Sequence, residues 1–285
     1  MLVWTLALVV TLTLAVFQRM TGPTHPRRGI VQLRDETLRF RLPRSHGGAG
    51  DMAVSIDTRA IPGASAVLQW RLYPGDYPWN DVPMTRDGDR LVAQVPHQPP
   101  AGKVEYRIVL SSAGTRAEVP PDGPVVARFK GRVPLGVLIP HILCMFLSML
   151  LATHAFVRVA VGGEPPRVTV LLGMLFLVAG GLFLGPVVQH HAFGAYWTGW
   201  PYGTDLTDNK TAIAFLAWLP ATILALKRRK MGLAVAVGWI VMMGVFLIPH
   251  SLRGSQIDWQ KEGAVAAQAP ARPEGGAGTA GGAGR

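Results

Sequence analysis

Cysteine is nearly absent: Cys144 is the single one in 285 residues, and it lies inside an apolar run. No intramolecular disulfide can form, so an exported domain of this chain must fold without one. Charge is also sparse. Only 16% of residues are Asp, Glu, Lys or Arg, 49% are hydrophobic, and the mean hydropathy is +0.27. That balance is too apolar for an ordinary soluble protein of this size. Acidic residues are the scarcer sign, 17 against 28 basic, for a net charge of +11. The basic residues are scattered or sit beside apolar runs, with no Lys/Arg stripe interleaved with aromatics. They therefore read as membrane flanks, and no nucleic-acid partner is expected. Catalytic signatures are missing as well. The chain has no P-loop, no strand-to-helix dinucleotide fingerprint, and no HExxH, GxSxG or CxxC. No nucleophile–base pair is evident, so no catalytic residue is assigned.

What the chain does have is long apolar runs at both ends of a polar middle. Leu2 to Phe17 is apolar and of marginal length for a span. No Lys or Arg precedes it and no Ala-x-Ala site follows it, which favours an uncleaved signal anchor over 1–19 rather than a cleaved signal peptide. A Pro/Gly/Arg linker is expected over 20–29. From Ile30 to Val133 the pattern shifts to period two, as in Leu38-Arg39-Phe40-Arg41-Leu42 and Ala66-Val67-Leu68-Gln69-Trp70-Arg71-Leu72. Turn signals such as Ile61-Pro62-Gly63 and Arg86-Asp87-Gly88-Asp89 separate these runs. Short strands at this spacing predict an antiparallel β-sandwich over 30–133. Its most distinctive loop is Tyr73-Pro74-Gly75-Asp76-Tyr77-Pro78-Trp79-Asn80-Asp81, aromatic and acidic, suited to a glycan, an envelope protein or the chain's own membrane part.

The run from Met84 through Arg86-Asp87-Gly88-Asp89-Arg90 to Val95-Pro96, followed by Ala101-Gly102-Lys103-Val104-Glu105-Tyr106-Arg107-Ile108, resembles fibronectin type III and related early-set immunoglobulin-like domains. In those a hairpin ends in a Pro, a Gly follows, and the next strand carries an inward Tyr. The resemblance covers about residues 50–130. It implies an immunoglobulin-like fold and is nearly silent on function. The paired cysteines of antibody domains are absent.

Four apolar runs follow, roughly Leu135–Val157, Val168–Gln189, Thr211–Leu226 and Met231–Pro249, predicting a four-helix membrane domain over 134–252. The second and last are long enough to span; the third is short and should kink at Pro220. Gly181 and Gly185 have the GxxxG spacing that allows close helix contact. Lys227-Arg228-Arg229-Lys230, with Arg158 and Arg167, marks the cytoplasmic turns. The β-sandwich and the loop 190–210 then lie on the outer, periplasmic side of a cell (inner) membrane crossed five times. The tail 253–285 is Ala/Gly-rich and predicted disordered. The class is α+β in separate parts, with the lipid bilayer as the assured partner.

This topology brings His141, His190, His191 and His250 to outward helix ends, with Asp205 and Asp208 in the outward loop. Imidazoles and a carboxylate at one level can hold one haem b or a transition metal, through His141, His190, His250 and Asp205. Equally, histidines at helix ends satisfy terminal carbonyls with no ligand at all, and a proton-transfer role is a third reading. Of His190 and His191, about 100° apart on a helix, His190 is expected to point inward. His154 lies thirteen residues after His141, about 20 Å along a helix, a spacing similar to that in membrane b-type cytochromes. The matching position before His190 is Leu177, which removes a second haem and leaves His154 to helix packing. His141, Met145 and Met149 share a helix face beside Cys144, suiting copper or plain packing. Tyr196, Trp197, Trp200 and Tyr202 suit a headgroup-level belt or a lid over a ligand. Thr207-Asp208-Asn209 reads as a helix N-cap. Together these give a non-enzymatic binding or accessory protein as the leading function, with a membrane redox protein as the alternative and a transporter subunit third.

Overall fold

The computed structural model describes residues 1–22, 24–248, 257 and 259. It has mixed α and β content, with the strands between an N-terminal helix and a set of C-terminal helices. The strands are β1 (Arg27–Leu33), β2 (Glu36–Leu42), β3 (Ser45–Gly47), β4 (Met52–Asp57), β5 (Ser65–Tyr73), β6 (Asn80–Pro83), β7 (Thr85–Asp87), β8 (Arg90–Val95), β9 (Lys103–Ser112), β10 (Thr115–Val119) and β11 (Val125–Lys130). One sheet runs β3-β11-β9-β5-β6, with β10 also on β9; a second runs β4-β8-β7; β1 and β2 form a separate hairpin. The β5–β9 pair is the longest, in register from Ser65↔Ser111 to Tyr73↔Lys103. Alternation sends Ala66, Leu68, Trp70 and Leu72 of β5, and Val104, Tyr106, Ile108 and Leu110 of β9, into one core. Residues of β1, β2, β4 and β8 bury into that same core.

Two features depart from the sequence expectation. The pairing of β3 with β11 is parallel, so the β part is not purely antiparallel. The first strand begins at Arg27, inside the predicted linker. A third departure comes from the far end of the chain. Trp259, assigned from sequence to a disordered tail, is buried in the β core and donates from Nε1 to the Tyr73 carbonyl at 3.0 Å. An indole has a large apolar surface and one donor, and this position satisfies both. Ile257 packs against the same core, and the rest of the tail, including everything from Gly263, lies outside the described residues.

The helices are α1 (Leu2–Thr21), α2 (Leu135–Ala160), α3 (Arg167–Leu177), α4 (Gly185–Phe193), α5 (Leu206–Leu226) and α6 (Gly232–Leu247). A π-helical segment, Val178–Leu184, joins α3 to α4 into one 27-residue rod. Among the described residues, four helical stretches are long and apolar enough to cross a membrane: α1, α2, the α3–α4 rod and α5. The last helix is apolar but has 16 residues, about 24 Å at 1.5 Å per residue, short of a bilayer's hydrocarbon thickness of about 30 Å. By length, then, α5 and α6 exchange the ranks the sequence suggested. The first turn of α5 is polar and was invisible to an apolar-run reading, and the helix runs on through Pro220.

Contacts sort the helix ends into two groups. At one end Trp4 of α1 stacks on His154 of α2, centroids 3.8 Å apart, and Arg167 donates to the Arg228 carbonyl at 3.1 Å. This end holds the basic turn. His154 is buried in that stack. At the other end Gln18 donates to the Phe246 carbonyl at 2.7 Å, and Gly131 N–H donates to the Ala192 carbonyl at 2.9 Å. The β part adjoins this second end. Between the ends, Trp218 Nε1 donates to the Val170 carbonyl at 3.2 Å and Ser148 Oγ to the Gly173 carbonyl at 2.9 Å. Such bonds give polar side chains a partner where lipid offers none.

Candidate functional site

A cavity of about 290 Å³ opens among α1, α2, α4, α5 and α6 at the end next to the β part. Its walls are apolar, formed by Ala15, Ile142, Met145, Phe146, Val188 and Phe246. Its polar end collects Gln18, His141, Gln189, Asp205, Asp208 and Lys210. Three charged side chains here are almost out of solvent: Lys210 is 3% exposed, Asp208 5% and Asp205 6%.

The segment 194–205 is built on the two aspartates. Asp205 is the N-cap of α5, accepting from Thr207 N–H at 2.7 Å, and its other oxygen accepts from Thr198 Oγ1 at 3.2 Å. Asp208 gathers the loop. Its Oδ2 accepts from Thr198 N–H at 2.6 Å, Gly199 N–H at 3.0 Å and Gln189 Nε2 at 3.0 Å. Asn209 Oδ1 takes the Trp200 N–H at 2.7 Å. The capping role read for Asp208 therefore belongs to Asp205, because the helix starts three residues earlier than the Thr207-Asp208-Asn209 signal suggests. Asp208, one turn in, is free to hold the loop. Gly194 ends α4 in the left-handed region, φ 82°, which starts the turn into this segment.

Asp205 also ties the loop to the sheet. It is in electrostatic reach of Lys103 on β9, Arg128 on β11 and Lys210 on α5. The Arg128 guanidinium lies 4.8 Å over the Phe193 ring at the end of α4, a cation–π contact across the β–helix junction. Burial and the neighbouring Arg128 push the Lys103 ammonium down to about 8, with Asp205 opposing. Burial also lowers Arg128. Lys210 Nζ donates to the Ile248 carbonyl, at the C-terminal end of α6, at 2.7 Å. There the helix dipole favours a cation.

His141 is positioned by the π segment. Its Nδ1 lies 2.9 Å from the Gly180 carbonyl. Since a carbonyl only accepts, Nδ1 carries the proton and Nε2 is left as an acceptor. The same carbonyl accepts the Gly185 N–H, the i to i−5 bond of a π turn. Such turns recur at functional sites. The Gly180-Gly181 pair makes this possible. A Cβ on Gly180 would lie 2.8 Å from Cys144 Cβ, and one on Gly181 2.7 Å from Thr211 Cγ2. Bare backbone thus lets α2 and α5 close on the π segment from two sides.

Of the sequence-predicted residues, His141 and Asp205 line one cavity, with Met145 and Met149 on its wall. His190 and His191 are not on the lining. The His190 ring stacks on Tyr196, centroids 4.1 Å apart, and His191 is exposed. The helix phase gives the inward place to Gln189. His250 lies outside the described residues. Among the described residues no three His, Cys, Asp or Glu side chains gather to hold a metal. Trp200 and Tyr202 are 78% and 83% exposed, and Trp197 Nε1 donates to the Trp200 carbonyl at 3.1 Å. Sequence reasoning missed Gln18, Gln189 and Lys210. A lysine one turn inside an apolar helix was the available signal for the last of these.

No family model matches the chain, and no curated protein does. Among solved structures, the crystal structure of the chicken CNTN1 FN1-FN3 domains matches at 13% identity and a TM-score of 0.22. The match covers 37% of this chain and 44% of that one, so this chain spans less than half the length of that neighbour. This is a weak likeness to a set of fibronectin type III domains, and at that score it carries no argument about fold or function.

Proposed function

We propose that the chain is a multi-pass membrane protein without catalytic activity, which binds an amphiphile in the cavity between its helices. The cavity carries this reading: about 290 Å³, near the lower bound of small-molecule sites at roughly 300 Å³. One end is apolar and the other polar, and Ile142 and Phe146 of its wall are exposed and also line an open groove along α1. A ligand can therefore enter from the bilayer. The β part, read as an immunoglobulin-like sandwich, faces the outer side of a cell membrane and is free to meet an envelope protein or a glycan. The basic turn Lys227–Lys230 faces the cytoplasm in this scheme.

The protein purified in mild detergent is expected to retain an amphiphile, seen by native mass spectrometry and solvent extraction. Val188→Phe, which fills the cavity, is expected to lose it. A wild-type protein with nothing bound, and no thermal shift with added lipids, would overturn the reading. The redox alternative draws on the Nδ1-protonated His141 beside Met145 and Met149, the tautomer a metal-bound imidazole uses. A haem absorption band or stoichiometric metal in the same preparation would replace the amphiphile with a cofactor.

A further inference from the structure

We infer that the cavity selects an uncharged lipid whose head group carries hydroxyls, and that His141, Gln18 and Gln189 read those hydroxyls. The inference rests on the amphiphile reading above and names the ligand's chemical class. It follows from which hydrogen-bonding atoms the fold leaves open. His141 uses Nδ1 on the Gly180 carbonyl, so Nε2 accepts. Gln18 gives Nε2 to the Phe246 carbonyl at 2.7 Å. Gln189 gives Nε2 to Asp208 Oδ2 at 3.0 Å and to Thr198 Oγ1 at 2.7 Å. A carbonyl and a carboxylate accept only, which fixes both amide orientations. The atoms left over are His141 Nε2, Gln18 Oε1 and Gln189 Oε1. All three are acceptors, and none has a hydrogen-bond partner among the described residues. A ligand that satisfies them must bring donors.

Charge narrows the class. The charged lining side chains are Asp205, Asp208 and Lys210. A phosphate or carboxylate head would meet two carboxylates for one ammonium, and that ammonium already donates to the Ile248 carbonyl. A cationic head would meet Asp208, already taken by three donors, and Asp205, already facing Lys103, Arg128 and Lys210. On the cavity wall neither sign finds an uncommitted counter-charge; Arg19 lines the adjoining groove and is exposed. Hydroxyls supply donors without charge. Room for the chain is present: a second groove of about 470 Å³ shares Ala15, Gln18, Ile142 and Phe146 with the cavity and continues along α1 past Leu12 and Val16.

The test uses the full chain in phosphatidylcholine nanodiscs, titrated with 1-oleoylglycerol, methyl oleate, oleate and 1-oleoylglycerol-3-phosphate. Binding is read by native mass spectrometry and thermal shift. The glycerol-headed probe is expected to bind at least about tenfold tighter than the other three, the scale of one or two hydrogen bonds. His141→Phe is expected to weaken it about tenfold, and His141→Gln, which restores an acceptor, to recover most of that. Gln18→Met is the second variant should His141→Phe fail to fold, with the same expected loss. Methyl oleate binding as well as 1-oleoylglycerol, or a tighter anionic probe, would overturn the hydroxyl selection and leave the amphiphile site standing. Binding of none of the four would overturn both.

Discussion

At the residue scale the site turns on two aspartates three positions apart. Asp205 closes the first turn of α5 and faces the sheet's cations, while Asp208 collects donors from the loop and from α4. Asp208→Ala would remove, in a nearly buried place, the acceptor shared by the Thr198 and Gly199 N–H groups and one of the two acceptors of the Gln189 amide. Unmet donors of this kind cost about 1–3 kcal/mol each, and partial rearrangement recovers some, so a loss of about 3 kcal/mol is expected. Thermal unfolding in detergent measures it. Limited proteolysis should also cut first within 194–205; a melting temperature equal to wild type would show that the loop is held by something else. The acidic content of this loop was legible in the sequence. Which aspartate caps and which gathers was not, because the apolar run of α5 begins five residues after the helix does. Its first turn is buried by the loop and the β part, where polar side chains find partners, and not by lipid.

At the element scale, the π segment sets the depth of His141. The sequence offered Gly181 and Gly185 as a close-packing pair, and glycine does allow the approach here. The tightest neighbours, however, are at Gly180 and Gly181, and the consequence is a carbonyl aimed at an imidazole. In Gly180→Ala the new Cβ would lie 2.8 Å from Cys144 Cβ and 3.1 Å from the Met145 backbone N. Backbone cannot swing aside as a side-chain tip can, so a destabilisation of about 2 kcal/mol is expected. Retention of the bound amphiphile should fall with it. Gly244→Ala is the matched control, since nothing lies within 4 Å of its added Cβ. It should melt at or slightly above wild type, because alanine favours helix. Equal effects of the two substitutions would show that the π segment is not a packing constraint. No periodicity announces a π turn. It arises where one inserted residue lets both flanking helices keep their own contacts.

At the scale of the whole molecule, the contacts divide the helix ends into a basic end and an end beside the β part. The positive-inside bias is the ground for the proposal that the basic end faces the cytoplasm. Reporter fusions after Arg132 and after Arg229 test this. The first is expected to report an exported site and the second a cytoplasmic one. The reverse pair would invert the proposed orientation. Two cytoplasmic signals would mean that one of the three stretches between the fusion points, α2, the α3–α4 rod or α5, does not cross. The β part and the helices are joined by more than the linker into α2. The Gly131–Ala192 hydrogen bond, the Arg128–Phe193 contact and the Asp205 cluster all cross the junction.

Local chemistry was readable in the chain by itself. Period-two runs gave the strands, long apolar runs gave the helices, and clustered Lys and Arg gave the turn at 227–230. These signals are local because each depends on the spacing of a few neighbouring side chains against water or lipid. Tertiary structure decided everything that depends on distant residues meeting. It put His141 on the Gly180 carbonyl, turned Gln189 inward in place of His190, paired β3 with β11 in parallel, and brought Trp259 back into the sheet core. A histidine, a glutamine and a tryptophan carry no mark of their partners in the sequence. Each is placed by hydrogen-bond satisfaction and burial, which exist only once the helices and sheets have closed on one another.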